Sequence, residues 1–193
     1  MQLIEKFLSA VFAATVVLFA FPAAAHAEEE SLWQQTKDRV NAIADQGSNE
    51  LYVSGYAYHG RGTYTREKLD QLNEEAWGGG FGRTLRNASG NDESLYFMGI
   101  SDSHKQPQFM GGYAYEWVWP IAHTGVETGL GYTAMLMSRQ DYLSGVPFPI
   151  VLPVASIGVK GAKLMASYVP RLSKNRGNGD VLFMFLRFEL PKF

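Results

Sequence analysis

The chain predicts an all-β fold: an eight-stranded antiparallel transmembrane β-barrel preceded by an N-terminal amphipathic α-helix. Three observations carry this expectation. Eight runs of strand length, separated by turn-like clusters, follow residue 47. The connections between them alternate, with one exception, between long and short. After the first 27 residues no apolar run is long enough for a transmembrane helix.

The size of the chain, 193 residues, suits one folded domain, and the formal net charge of -2 gives no electrostatic footprint for nucleic-acid binding. There is no cysteine, so no disulfide framework can hold the fold. Stability must come from backbone pairing and the core.

Residues 1–27 read as a signal peptide. Lys6 lies in a short opening region, an apolar run follows from Phe7 to Phe21, and Ala25-His26-Ala27 matches a small-residue cleavage site. The mature chain would begin at Glu28. Residues 28–47 read as an amphipathic periplasmic helix. Acidic residues precede Ser31, an expected N-cap, and Leu32, Trp33, Val40, Ile43 and Ala44 recur near helical spacing before Gly47 stops the element. It either packs on the fold or lies at a membrane surface with Trp33 as its anchor.

Residues 48–193 form the expected outer-membrane barrel. The strand-length runs are 50–59, 77–86, 94–102, 109–118, 125–135, 150–158, 162–170 and 180–190. The connections 60–76, 136–149 and 171–179 are long and polar, whereas 87–93, 119–124 and 159–161 are mostly shorter. Segment 103–108 is short for its side. Long extracellular loops, short periplasmic turns and an even strand count characterise outer-membrane barrels. The chain ends in Phe193 after an aromatic strand. A soluble lipocalin-like barrel is the competing fold.

Several runs, VLFMFL (181–186) among them, are apolar on both faces. An eight-stranded barrel is wide enough to be filled by side chains or to hold one small ligand. The interior is then either a packed dry core or a slot for a hydrocarbon chain, with small residues such as Gly111, Gly112, Ala114, Gly129 and Gly131 leaving room.

Asp102, Ser103 and His104 are the residue types of a hydrolytic triad, but adjacent residues cannot face one another across a site. Strand parity offers another arrangement. If the first run rises from the periplasm it ends at His59, and the third ends at Asp102 and Ser103. The three then share the extracellular rim of an apolar cavity. A base, a hydroxyl and a carboxylate there suit acyl transfer. No G-x-S-x-G elbow exists, WGGGFG (77–82) lacks phosphate-loop spacing, and His59, His104 and His123 show no metal spacing. Arg61, Arg66 and Lys68 either meet anionic sugar phosphates or belong to a solvated loop balanced by Glu67, Asp70, Glu74 and Glu75.

The stretch YHGRGTYTREKLDQLNEEAWGGGFG (58–82) resembles the corresponding part of the PagP family of outer-membrane lipid A palmitoyltransferases. So do Asp102-Ser103, GYAYEWVWPIA (112–122), GLGYTA (129–134), PFPIVLPVASIGV (147–159), YVP (168–170) and NGDVLFMFLRF near the end. Their shared order and spacing cover nearly the whole mature chain. The resemblance implies an eight-stranded barrel with an interior hydrocarbon slot. It implies palmitoyl transfer from the sn-1 position of a glycerophospholipid donor to a hydroxyacyl chain of lipid A, by a monomer, with no metal or diffusible cofactor. By the same resemblance His59 is the general base, Asp102 orients or supports it, and Ser103 positions the reacting carbonyl or acts as nucleophile.

The family also has two lateral gaps flanked by prolines, through which lipids enter. Pro153 and Pro170 match one pair. Ser54 and Ala76 replace the other, which puts the opening near the first strand in doubt. Ala114 stands where the family has a glycine on the slot floor, so the preferred acyl chain is expected to be slightly shorter than palmitate. Two other readings compete: a non-enzymatic barrel for adhesion or membrane structure, and a soluble periplasmic lipid carrier.

Overall fold

The computed structural model describes residues 26–140, 143–171 and 179–191. Nearly all of the expected signal peptide, most of the connection 171–179 and the terminal Phe193 lie outside the described residues.

Helix α1 spans His26–Gln46. It passes through Ser31, so that residue lies inside the helix and is not its N-cap. The helix ends as expected at Gly47, whose N–H donates to Ile43 O at 3.0 Å. A Cβ on Gly47 would stand only 2.5 Å from that oxygen, so the close approach requires glycine. Ile43 is fully buried, while Leu32 and Trp33 are exposed. The helix packs against the second and third strands of the barrel, with Arg39 Nη1 2.7 Å from Glu93 Oε1. It is not long and apolar enough to cross a membrane.

The strands are β1 (Ser48–His59), β2 (Gly78–Arg86), β3 (Asp92–Ser101), β4 (Pro107–Pro120), β5 (Val126–Ser138), β6 (Phe148–Val159), β7 (Ala162–Val169) and β8 (Val181–Glu189). Each pairs antiparallel with its sequence neighbours, and β8 closes on β1. The expected barrel is therefore present, with each strand within a few residues of its expected run. Closure leaves no sheet edge, as the hydrocarbon interior of a bilayer demands. Phe81, Trp117, Trp119, Leu130 and Ile157 project outward and are exposed, giving the apolar and aromatic exterior of an outer-membrane barrel.

Connections 87–91, 121–125 and 160–161 are short and lie at the α1 end. Among the described residues, the opposite rim carries 60–77, 102–106, 139–140, 143–147, 170–171 and 179–180, including the single-turn helix α2 (Arg66–Leu69). Two ladders stop short of that rim. The β6–β7 register ends at Val154↔Ser167, beside Pro153. The β1–β2 register ends at Ser54↔Gly78, leaving the top of β1 without a β2 partner. The β1–β2 ladder is thus interrupted without prolines. It is bridged by the Ser54 hydroxyl, which donates to Ala76 O at 2.6 Å, and by the Ala57 N–H, which donates to Glu74 O at 2.9 Å.

The interior is layered. Its rim-side part is apolar and rich in methionine: Met98, Met110, Met135, Met137 and Met165 are all buried there. Its α1 side corrects the expectation of greasy walls throughout. Lys163 Nζ lies 3.0 Å from Asp92 Oδ2, 3.3 Å from Glu116 Oε1 and 3.3 Å from Glu127 Oε2. Arg187 Nη2 reaches the same Asp92 oxygen at 2.7 Å, and Arg86 Nε reaches Asp92 Oδ1 at 2.5 Å. Buried charges persist when paired and hydrogen-bonded, and this layer pairs them across six strands.

Candidate active site

His59 is the last residue of β1 and is only 1% exposed. Its Nε2 lies 2.8 Å from Ser103 Oγ, in the turn after β3. Strand parity thus does bring the first and third strand tops together. His104 follows in the same turn but is exposed. His123 lies in a connection at the opposite end.

Asp102 is buried, at 4% exposure, and borders the same cavity. Its Oδ1 accepts the N–H groups of His104 and Gln106, both at 2.8 Å. It thereby shapes the turn that presents Ser103. Its Oδ2 is buried without a hydrogen-bond partner. A second carboxylate, that of Glu74, stands beside the imidazole. Glu74 Oε1 lies 3.4 Å from His59 Nδ1 and accepts the His59 backbone N–H at 3.0 Å. Arg61 grips Glu74 in a two-pronged pair at 2.7 and 2.8 Å, and Tyr56 OH donates to it at 3.0 Å. The Arg61 guanidinium is the main reason the Glu74 carboxyl is held down to about 2.

Segment 73–77 occupies the space that the upper half of β2 would fill. Asn73 N–H donates to Ser103 O at 2.8 Å, and Ser101 N–H donates to Trp77 O at 2.8 Å. One strip of chain therefore stitches β1 to the Ser103 turn. Tyr64 packs edge-on against the His59 ring, with centroids 5.4 Å apart.

Beneath this pair opens a cavity of about 900 Å³, within the range of small-molecule pockets. Lys68 and Arg139 border its mouth, and the buried methionines line its length. The interior is therefore a slot and not a filled core. Methionine side chains are flexible and polarisable, which suits an adaptable apolar lining.

Ala114 lies low in the slot, in a transverse row Thr84–Ser94–Ala114–Thr133–Leu152 set by the strand registers. Tyr96 OH reaches Thr133 Oγ1 at 2.5 Å, so a tyrosine ring is tethered at this level. The next inward position on β4 is Glu116, in the charged layer. Pro153 and Pro170 sit by the β6–β7 opening, and Pro170 borders the cavity. Among the described residues, no group of three or more histidines and carboxylates is arranged to hold a metal ion.

Comparison with known proteins bears on the activity. Residues 39–187 match the family described as "Antimicrobial peptide resistance and lipid A acylation protein PagP". A lipid A acyltransferase PagP of Bordetella pertussis is 42% identical over 153 residues, covering 78% of this chain and 81% of the relative. The protein of the same name from Methylobacillus flagellatus is 39% identical, covering 78% and 79%. That from Serratia proteamaculans is 36% identical, covering 86% and 83%.

Proposed function

Because the chain belongs to the PagP family of acyltransferases, we propose that it moves a palmitoyl or slightly shorter chain from the sn-1 position of a glycerophospholipid to a hydroxyacyl chain of lipid A. The observation that carries this reading is the junction of an apolar slot with a part-buried His59–Ser103 pair at its mouth. An acyl chain inserted in the slot leaves its ester carbonyl near that pair. The lipid A hydroxyl gives its proton to His59 Nε2 while its oxygen attacks the ester carbon. The glycerol oxygen then leaves and takes a proton from the same nitrogen. Ser103 Oγ, held by its turn, orients the carbonyl, and Asp102 fixes that turn.

The chain length is set at Ala114. Its methyl shortens the slot by about one carbon relative to glycine. Further descent would press hydrocarbon onto Glu116 and its buried partners, which is unfavourable because their charges need polar surroundings. Lipid enters sideways through the interrupted β6–β7 ladder beside Pro153 and Pro170, because segment 73–77 fills the gap over the top of β1. That opening lies at the rim that carries the long loops. The rim faces outward, and the protein acts, as a monomer, on the outer leaflet of the outer membrane.

The test is expression in a Gram-negative host whose own enzyme of this kind has been deleted, with mass spectrometry of lipid A. An added acyl chain of palmitoyl or slightly shorter length that vanishes in His59→Ala supports the reading. Unmodified lipid A from a correctly folded barrel contradicts it.

A further inference from the structure

Building on this acyl-transfer reading, we propose that Glu74 is the positioning residue for His59. An imidazole that accepts a proton at Nε2 must carry one at Nδ1. The acceptor nearest to Nδ1 is Glu74 Oε1, at 3.4 Å, and the ring nitrogen has no other partner. The distance is long for a hydrogen bond. Such contacts tighten when the substrate arrives and the ring gains charge.

The carboxylate is fixed on every side. Its Oε1 also accepts the His59 main-chain N–H, Arg61 spans both oxygens, and Tyr56 OH binds Oε2. Its own main-chain oxygen accepts the Ala57 N–H, and its neighbour Asn73 donates to Ser103 O. Two consecutive residues therefore position both halves of the site. Asp102 makes no such contact: its Oδ1 is committed to two amides of its own turn, and its Oδ2 has no hydrogen-bond partner.

In the reaction, the acceptor hydroxyl proton passes to Nε2 as the new ester C–O bond forms. The Nδ1 proton stays on the ring and points at Glu74, whose charge stabilises the transient imidazolium. When the tetrahedral intermediate collapses, the glycerol oxygen leaves with the Nε2 proton. The groups facing His59 are Glu74 and Arg61 from the first loop, Tyr64 at its ring edge and Ser103 at Nε2. Asp180 anchors the adjoining Gly60 through its main-chain oxygen, and Asp102 borders the same cavity.

The experiment is an NMR titration of ¹⁵N-histidine-labelled protein in micelles, comparing wild type with Glu74→Gln, Arg61→Gln and Asp102→Asn. The pH profile of acyl transfer is measured on the same samples. Removing the carboxylate lowers the His59 midpoint by roughly one pH unit, and the acid limb of the rate profile follows. Transfer itself falls roughly 10²- to 10⁴-fold. Arg61→Gln breaks the same clamp but removes a positive charge, so the midpoint rises. Asp102→Asn leaves the midpoint in place. A His59 midpoint unmoved in folded Glu74→Gln overturns the proposal, as does a shift of the same sign in Glu74→Gln and Arg61→Gln, which marks a purely structural clamp. The titration needs no turnover. Opposite shifts in a barrel that acylates nothing would uphold Glu74 and contradict the lipid reading alone.

Discussion

His59 Nε2 stands 2.8 Å from Ser103 Oγ, joining the top of β1 to the turn after β3. No ladder connects these two strands directly. The contact is made across the interrupted end of β2, where segment 73–77 lies between them. The consequences can be measured one residue at a time.

If Ser103 positions the carbonyl and forms no covalent intermediate, Ser103→Ala slows transfer without abolishing it. The loss of one hydrogen bond to a group that becomes charged is worth about 1.5–3 kcal/mol. That corresponds to a rate roughly ten- to a hundredfold lower. Intact-protein mass spectrometry during turnover of the wild type should show no acyl adduct. An acylated Ser103 peptide would instead establish it as the nucleophile.

Ala114→Gly should shift the lipid A profile toward chains about one carbon longer. One buried methylene is worth about 0.8 kcal/mol, so the preference changes roughly fourfold. Mass spectrometry of lipid A reads the ratio. An unchanged acyl-length profile would show that the slot ends elsewhere, with the tethered Tyr96 ring as the next residue to alter.

The strands were legible because apolar runs and turn clusters recur at strand spacing; β6, for example, departs from its expected run by only two residues at its start and one at its end. The alternation of long and short connections even placed His59 and Ser103 on one rim. Glu74 was not legible as a partner. In the sequence it is one of several acidic residues in a polar loop. A signal did exist: carried on step for step, the β1–β2 register would set Asn73 opposite His59, with Glu74 beside it. The charged layer was hidden for another reason. Lys163 sits alone in an apolar strand, and its partner Asp92 comes from a distant part of the chain, so only barrel closure reveals the pair. Ser31 misled because capping chemistry marks where a helix can begin, and this helix extends beyond it.

That layer makes its own prediction. Lys163→Met leaves Asp92 and Glu116 short of a cation inside the barrel. Removing one member of a buried ion group costs about 3–5 kcal/mol. The urea midpoint of the barrel in lipid bilayers should fall accordingly, read as loss of heat-modifiable mobility on gels. An unchanged midpoint would mean that water reaches the layer.

The Arg61–Glu74 clamp should respond to acid in one direction. Glu74 titrates at about 2 in the folded protein, below the ordinary glutamate value of about 4.3. Its stabilisation is therefore complete above the ordinary value and is lost as the pH falls through about 2. Hydrogen exchange at the Ala57 and His59 amides, corrected for its intrinsic pH dependence, should show constant protection between neutral pH and about 5. Protection should then decline in strong acid. Loosening already between pH 7 and 5 would show that Glu74 does not carry the clamp.

The most direct test of acyl transfer is a purified, refolded barrel in liposomes of phospholipid with a palmitoyl group labelled at sn-1 and an unlabelled acyl group at sn-2, together with lipid A. Label should appear on lipid A in a one-to-one ratio with lysophospholipid, and His59→Ala should abolish both products while the barrel remains heat-modifiable. Lysophospholipid without labelled lipid A, or full transfer by His59→Ala, would contradict the account.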